Sequence, residues 1–292
     1  MKPSFVIASL VTFALLSFGL YQAMVVAPTE ATMGDIQRIF YYHLPSAWVA
    51  FTLFFLNFVG SLLFLVVKKD AADKFTAAIF GVLGLVGLGI SIFGRNSTEY
   101  ASSIGGTLLM CAVAYLLVRQ FFHSQAQADA FAASTAEVGV VFCTIVLLTG
   151  PLWARPVWGI WWTWDARLTS TLVLWLIYVS YLVLRKFATG GQTPTLAAAL
   201  AIFGFADVPI VYLSIRYFRT QHPQPVINGG EGSGIDSHMW AAVLWNLLAF
   251  TMFAILLVTT RYKLAQAEHR IEEAFATRDL EDDSHLISRS TR

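Results

Sequence analysis

Residues 46–67 read Ser46-Ala-Trp-Val-Ala-Phe-Thr-Leu-Phe-Phe-Leu-Asn-Phe-Val-Gly-Ser-Leu-Leu-Phe-Leu-Val-Val67, with no charged side chain. A helix of this length, at about 1.5 Å per residue, matches the roughly 30 Å hydrocarbon core of a bilayer. The stretch therefore predicts a membrane-crossing helix. Similar runs recur at approximately 5–26, 75–94, 103–121, 136–152, 168–184, 194–214 and 239–260, which makes eight candidate spans. Lys2 precedes the first run as in a signal peptide, but Tyr21–Pro28 lacks a small-x-small cleavage pattern, so the run is read as an anchor.

Composition supports this reading. Of 292 residues, 57% are hydrophobic and 13% charged, against about 25% charged in soluble domains. Arg261–Arg292 alone holds 13 of the 37 charges. The remainder is too few to cover a water-soluble fold of this size, which excludes a soluble enzyme and a disordered chain. A net charge of +1 gives no electrostatic footprint for nucleic acid. Cys111 and Cys143 lie far apart in apolar runs, with neither a C-x-x-C redox pair nor a haem-attachment signature. The expected fold is all-α: a polytopic integral membrane bundle of about eight transmembrane helices over 1–260, with a charged tail at 261–292.

Loop charges predict the orientation. Lys2, Lys68, Lys69, Lys74, Arg119, Arg185, Lys186, Arg261 and Lys263 share one side, which the positive-inside rule makes the cytoplasm. The other side carries Arg38, Arg95, Arg155, Arg167, Arg216 and Arg219 but no lysine. Its arginines ask for a second explanation.

Three outer segments supply one. The first is Asp35-Ile-Gln-Arg38-Ile-Phe-Tyr-Tyr-His43-Leu-Pro45-Ser-Ala-Trp48. The second, 153–169, holds Trp153, Trp158, Trp161, Trp162 and Trp164, five of the nine tryptophans. The third runs from Arg216 through Arg219 and His222 to a Gly-rich loop and His238. Interfacial anchoring accounts for Trp48 and Trp240, but five indoles in one connection suggest a platform for a planar, apolar ligand. A porphyrin fits. Imidazole is a common haem-iron ligand, so His43 and His222 are the candidate axial pair, with His238 a rival for the second position. Arg155, Arg167, Arg216 and Arg219 are candidates for the propionates, because a guanidinium pairs with carboxylate bidentately. Lipid phosphate contact is the other reading for each. Asp165 is expected to orient Arg167 or a backbone N–H rather than touch iron. No Ser-His-Asp or paired-carboxylate arrangement suggests hydrolysis.

The segment Trp158-Gly-Ile-Trp161-Trp162-Thr-Trp164-Asp165-Ala-Arg167-Leu-Thr169 resembles the WWD haem-handling motif of the CcmC/CcmF/CcsA cytochrome c assembly family. Its Asp-Ala-Arg-Leu-Thr ending is similar to the haem exporter protein C (CcmC) branch. The stretches Arg38–Trp48, and Asp207–Arg216 with Thr220-Gln-His222-Pro-Gln-Pro225, resemble that branch's two histidine motifs. The resemblance covers most of 30–67 and 135–260. It implies a non-enzymatic protein of the bacterial inner membrane with both termini cytoplasmic. Haem b would be held at the periplasmic face between His43 and His222, on the platform of 158–165. It would pass to the chaperone CcmE, with CcmA, CcmB and CcmD as partner subunits. The family's usual six spans would be extended here by a pair within 70–125. A thioether-forming haem lyase of the CcsA/CcmF type is the alternative; the motif ending and the lack of a large periplasmic domain argue against it. A transmembrane redox protein would need histidine pairs near both faces, and a secondary transporter would need ionisable residues at mid-depth.

Overall fold

In the computed structural model, residues 3–66, 70–93, 108–109, 111–113, 115–116, 120–122, 124–223 and 234–290 are described. Helices dominate: α1 (Pro3–Tyr21), α2 (Phe40–Val66), α3 (Asp70–Phe93), α4 (Gln125–Trp158), α5 (Ala166–Phe187), α6 (Thr193–Phe205), α7 (Asp207–Tyr217) and α8 (Ser237–Ser290). A π-helical turn at Gln22–Val26 follows α1, and a 3₁₀ turn at Asp35–Ile39 leads into α2. Among the described residues there is no β-strand, only an isolated bridge between Glu30 and Gly34.

Among the described residues, six helical stretches are long and apolar enough to cross a membrane: Pro3–Val26, Asp35–Val66, Gln125–Trp158, Ala166–Phe187, Thr193–Tyr217 and Ser237–Glu272. The chain is a multi-pass helical membrane protein. The expected third span coincides with α3, whose apolar part is the shorter Thr76–Ile90. Most of the expected fourth, with Arg95, Arg119 and His123, lies outside the described residues, as do Lys68 and Lys69.

Helix ends differ from the apolar runs. The second outer segment is non-helical only between Trp158 and Ala166, because α4 continues through Pro151 and Pro156. A proline removes one backbone donor but does not by itself end a helix. Gly159 ends α4: its φ of 79° is left-handed, and its N–H donates to the Arg155 carbonyl at 3.0 Å. The seventh span breaks at Ala206, between α6 and α7. Pro209, one turn on, cannot donate to the Phe205 carbonyl. Beyond the expected last span, α8 runs without interruption through 261–290.

The chain divides into two compact units, Met1–Phe58 with Ala133–Thr260 and Val59–Ala132 with Arg261–Arg292. In the first, α2, α4, α5, α6, α7 and α8 share a core that includes Leu53, Phe54, Phe142, Leu174, Tyr178, Ala201, Val211 and Ala254. Phe54 stacks on Tyr178 at 3.8 Å between ring centres. Gly139 permits this packing, since a Cβ there would lie 2.7 Å from the Phe54 ring. A second cluster of Ala23, Ala27, Tyr41, Met239, Ala242 and Val243 seats the turn after α1 against α2 and α8. Asn246 adds a polar tie, donating to the Gly19 carbonyl at 3.0 Å. In the second unit, Phe80 stacks on Tyr115, and Gln125 donates to the Phe64 carbonyl at 2.9 Å.

Gly139→Val should force a side chain into the Phe54 ring and cost about 1–3 kcal/mol. Thermal unfolding in detergent should show a lowered midpoint; an unchanged midpoint would contradict this packing.

Candidate functional site

The site begins with Asp165, the residue before α5. Its Oδ1 accepts from the Leu168 N–H at 2.9 Å and caps the helix. Its Oδ2 accepts from Thr220 Oγ1 at 2.7 Å, the Gln221 N–H at 3.1 Å and Thr163 Oγ1 at 3.3 Å. One carboxylate thus holds the tryptophan loop and the 218–223 segment together. Thr220 Oγ1 in turn accepts from the His222 N–H at 3.1 Å, so the latch reaches the backbone of the histidine. Burial works to raise the Asp165 pKa. The hydrogen bonds from Leu168, Thr220, Gln221 and Thr163 outweigh it and hold the carboxyl below its ordinary range.

The latch brings His222 beside His43. Their ring centres are 6.5 Å apart, with planes inclined by 35°. His43 stands near the start of α2, and its Nδ1 lies 2.8 Å from Thr149 Oγ1 on α4. His222 Nδ1 lies 3.0 Å from the Pro223 carbonyl. A carbonyl only accepts, so this nitrogen carries the proton and Nε2 keeps its lone pair. Burial, and then the charge of Arg167, push the His222 pKa from 6.5 down to about 4, against smaller opposing effects of Pro223 and Asp165. The imidazole is therefore neutral at physiological pH. Arg167 lies within electrostatic reach of both histidines.

The tryptophans form two edge-to-face pairs rather than one flat sheet. Trp153 meets Trp158 at 5.2 Å and 86°, and Trp162 meets Trp164 at 5.8 Å and 78°. Trp161 and Trp164 are 56% and 76% exposed, while the Trp162 Nε1 donor is buried without a partner.

The remaining arginines are used separately. Arg155 donates to the Gly159 carbonyl within its own helix end, Arg216 lies over the Tyr212 ring at 5.8 Å, and Arg219 is exposed. Arg38 donates to the Ala23 and Ala27 carbonyls at 2.7 and 3.1 Å and pairs with Asp35 at 2.9 Å, closing the turn after α1. His238 is exposed at the start of α8, where Asp236 accepts from its N–H. The ring beside His43 is that of His222. Thr149 and Thr220 were not among the expected site residues. Thr220 carries a local signal, two positions before His222; Thr149 carries none.

A family model described as heme exporter protein C matches residues 101–277, which take in the tryptophan loop and His222 and begin after His43. The chain belongs to the heme exporter protein C family. Heme exporter protein C of Bradyrhizobium diazoefficiens is 28% identical over 247 residues, 84% of this chain and 72% of that protein. The Escherichia coli K12 protein of the same name is 34% identical over 137 residues, 45% of this chain and 53% of its own. An Arabidopsis thaliana mitochondrial protein named as ccmC-like in cytochrome c biosynthesis is 26% identical over 273 residues, 90% of this chain and 82% of its own.

Two measurements check this geometry. Asp165→Asn retains a capping oxygen but puts an NH₂ where Oδ2 accepts, so docking of 218–223 should weaken by about 1–3 kcal/mol. Faster amide exchange confined to that segment would show it; unchanged exchange would remove the latch. His222 should titrate near 4 in the haem-free protein. Because its folded value is depressed, docking is fully stable above the ordinary 6.5 and loses stability as pH falls through about 4. A histidine resonance with a midpoint near 6.5 would contradict the burial.

Proposed function

We propose that this protein binds haem b at the periplasmic face of the bacterial inner membrane and delivers it for c-type cytochrome biogenesis. The observation that carries this reading is the 6.5 Å separation of the His43 and His222 ring centres. A metal–imidazole bond of about 2.0–2.1 Å, plus roughly 1.2 Å from nitrogen to ring centre, puts two axial imidazoles roughly 6.4 Å apart. A bare structural metal ion would ask for about four protein donors. Among the described residues no group of three or more His, Cys, Asp or Glu side chains gathers for one. A porphyrin brings its own equatorial nitrogens and needs only the axial pair.

Other side chains fit the rest of the ligand. Arg167 supplies a cation beside both histidines, and the unpartnered Trp162 Nε1–H is a donor suited to a propionate oxygen. Trp158, Trp161 and Trp164 offer indole surface to the apolar macrocycle, while Arg155, Arg216 and Arg219 are secondary candidates for an anion, since Arg155 already meets the Gly159 carbonyl and Arg216 the Tyr212 ring. Asp165 holds the His222 segment and stays off the iron. His43 and His222 together would hold the iron, which suits holding haem rather than turning over a substrate on it.

Delivery is then ligand exchange to a partner, the chaperone CcmE, with CcmA, CcmB and CcmD as companions, and no bond-making step falls to this chain. The lysine-bearing loops favour cytoplasmic termini, with 1–260 as the haem-handling domain and 261–292 as a cytoplasmic tail.

Detergent-solubilised protein should carry haem with a low-spin bis-imidazole spectrum. His43→Ala combined with His222→Ala should abolish that spectrum. A Soret band unchanged in the double variant would overturn the ligand assignment.

A further inference from the structure

Thr149 has no assigned part in haem handling, yet its hydroxyl sits in a chain that decides the chemistry of His43. Thr149 Oγ1 lies 2.7 Å from the Ile145 carbonyl one turn back and 2.8 Å from His43 Nδ1. Two oxygens at 2.7 Å require a proton between them, and a carbonyl has none to give. The single hydroxyl proton therefore points at Ile145. Toward His43 the same oxygen can only accept. His43 must then carry its proton on Nδ1, which leaves Nε2 bare. The neighbouring residue agrees: a Cβ built at Gly150 would be in ordinary contact with His43 Cε1 at 3.6 Å, so the Nδ1–Cε1 edge of the ring faces α4. Nε2 is the next atom round the ring.

We propose that Thr149 is a positioning residue that fixes the His43 tautomer and ring orientation, so that Nε2 is presented to the haem iron. The inference rests on the haem-binding reading for its consequence but not for its first measurement. His43 takes its acceptor from a side chain of another transmembrane helix, whereas His222 takes one from the carbonyl of the residue beside it. The orientation of His43 is thus set by the packing of α2 on α4. An Nδ1–H that donates to an acceptor also makes the imidazole a stronger electron donor to a bound metal.

The test compares full-length wild type, Thr149→Val and Thr149→Ser in detergent. Valine keeps the branched shape and removes the acceptor; serine restores it. In haem-free protein with nitrogen-labelled histidine, His43 should be the Nδ1–H form in wild type and Thr149→Ser. In Thr149→Val it should shift toward the Nε2–H form. Loaded with haem, Thr149→Val should lose it about 10–100-fold faster and show a raised midpoint potential, while Thr149→Ser follows wild type. Thermal unfolding of the haem-free variants should be cooperative in all three, with Thr149→Ser near wild type and Thr149→Val lowered by the lost hydrogen bonds. Identical nitrogen shifts in wild type and Thr149→Val would overturn the proposal, as would a serine variant as defective as valine. If the tautomer shifts but wild type binds no haem, the haem-binding reading fails and the positioning role stands.

Discussion

Asp165 accepts four hydrogen bonds from donors as far away as Gln221, and the site depends on that convergence. A carboxylate suits the position because it only accepts and has about four lone-pair sites. Its charge also meets the positive end of the α5 helix dipole. The distance it spans is structural as well as chemical. His222 sits in a non-helical segment after α7, and ordering such a segment costs roughly 1–2 kcal/mol per residue in backbone entropy. Helix formation does nothing to offset that cost there. The hydrogen bonds to Thr220 and Gln221 do, and they set the imidazole on the same end of the bundle as His43.

The two imidazoles are consequently held by different means. His43 belongs to α2, whose neighbours Tyr41, Val49 and Leu53 are buried in the core, and its ring is tied to α4. His222 depends on a side-chain latch at the surface. Local stability differs across a protein in this way, with segments of few buried apolar contacts opening most readily. Such asymmetry lets the His222 segment loosen while His43 keeps its register.

Much of this was legible in the sequence. The apolar runs mark the six long membrane helices because charge depletion over about 20 residues has few other physical causes. Helix ends were less legible. The second outer segment read as loop from Trp153 because the apolar run ends there and an arginine, a proline and five tryptophans follow. Pro151 and Pro156 each remove one donor from an otherwise intact α4, and Gly159 is what stops it. The His43–His222 pairing followed from placing both on one face. The Thr149 contact could not, because nothing local joins residues 106 positions apart. The flat indole platform also came out differently. Aromatic quadrupoles favour edge-to-face pairs, and a connection of seven residues lets Trp162 and Trp164 adopt one.

Of the six outer arginines, the sequence offered Arg155, Arg167, Arg216 and Arg219 for the propionates, and the five of the six that are described are engaged differently. Arg38 and Arg155 satisfy backbone carbonyls left over at helix ends, and Arg216 covers an aromatic ring. A guanidinium, with five donors in a rigid fork, does this better than an ammonium, which accounts for the lack of lysine without invoking a ligand. Arg167 is different. It is largely buried, lies near two histidines and Asp165, and finds no hydrogen-bond acceptor among the described residues. Asp165 compensates its charge through space, but the oxygens of that carboxylate are already committed to Leu168, Thr220, Gln221 and Thr163. A partly desolvated cation whose counter-charge is occupied is costly unless an anion arrives to meet it. Here the histidines are the wrong partners, since a neutral imidazole such as that of His222 carries no counter-charge. Of the four arginines that the sequence offered for the propionates, Arg167 is the one that stands within electrostatic reach of both histidines.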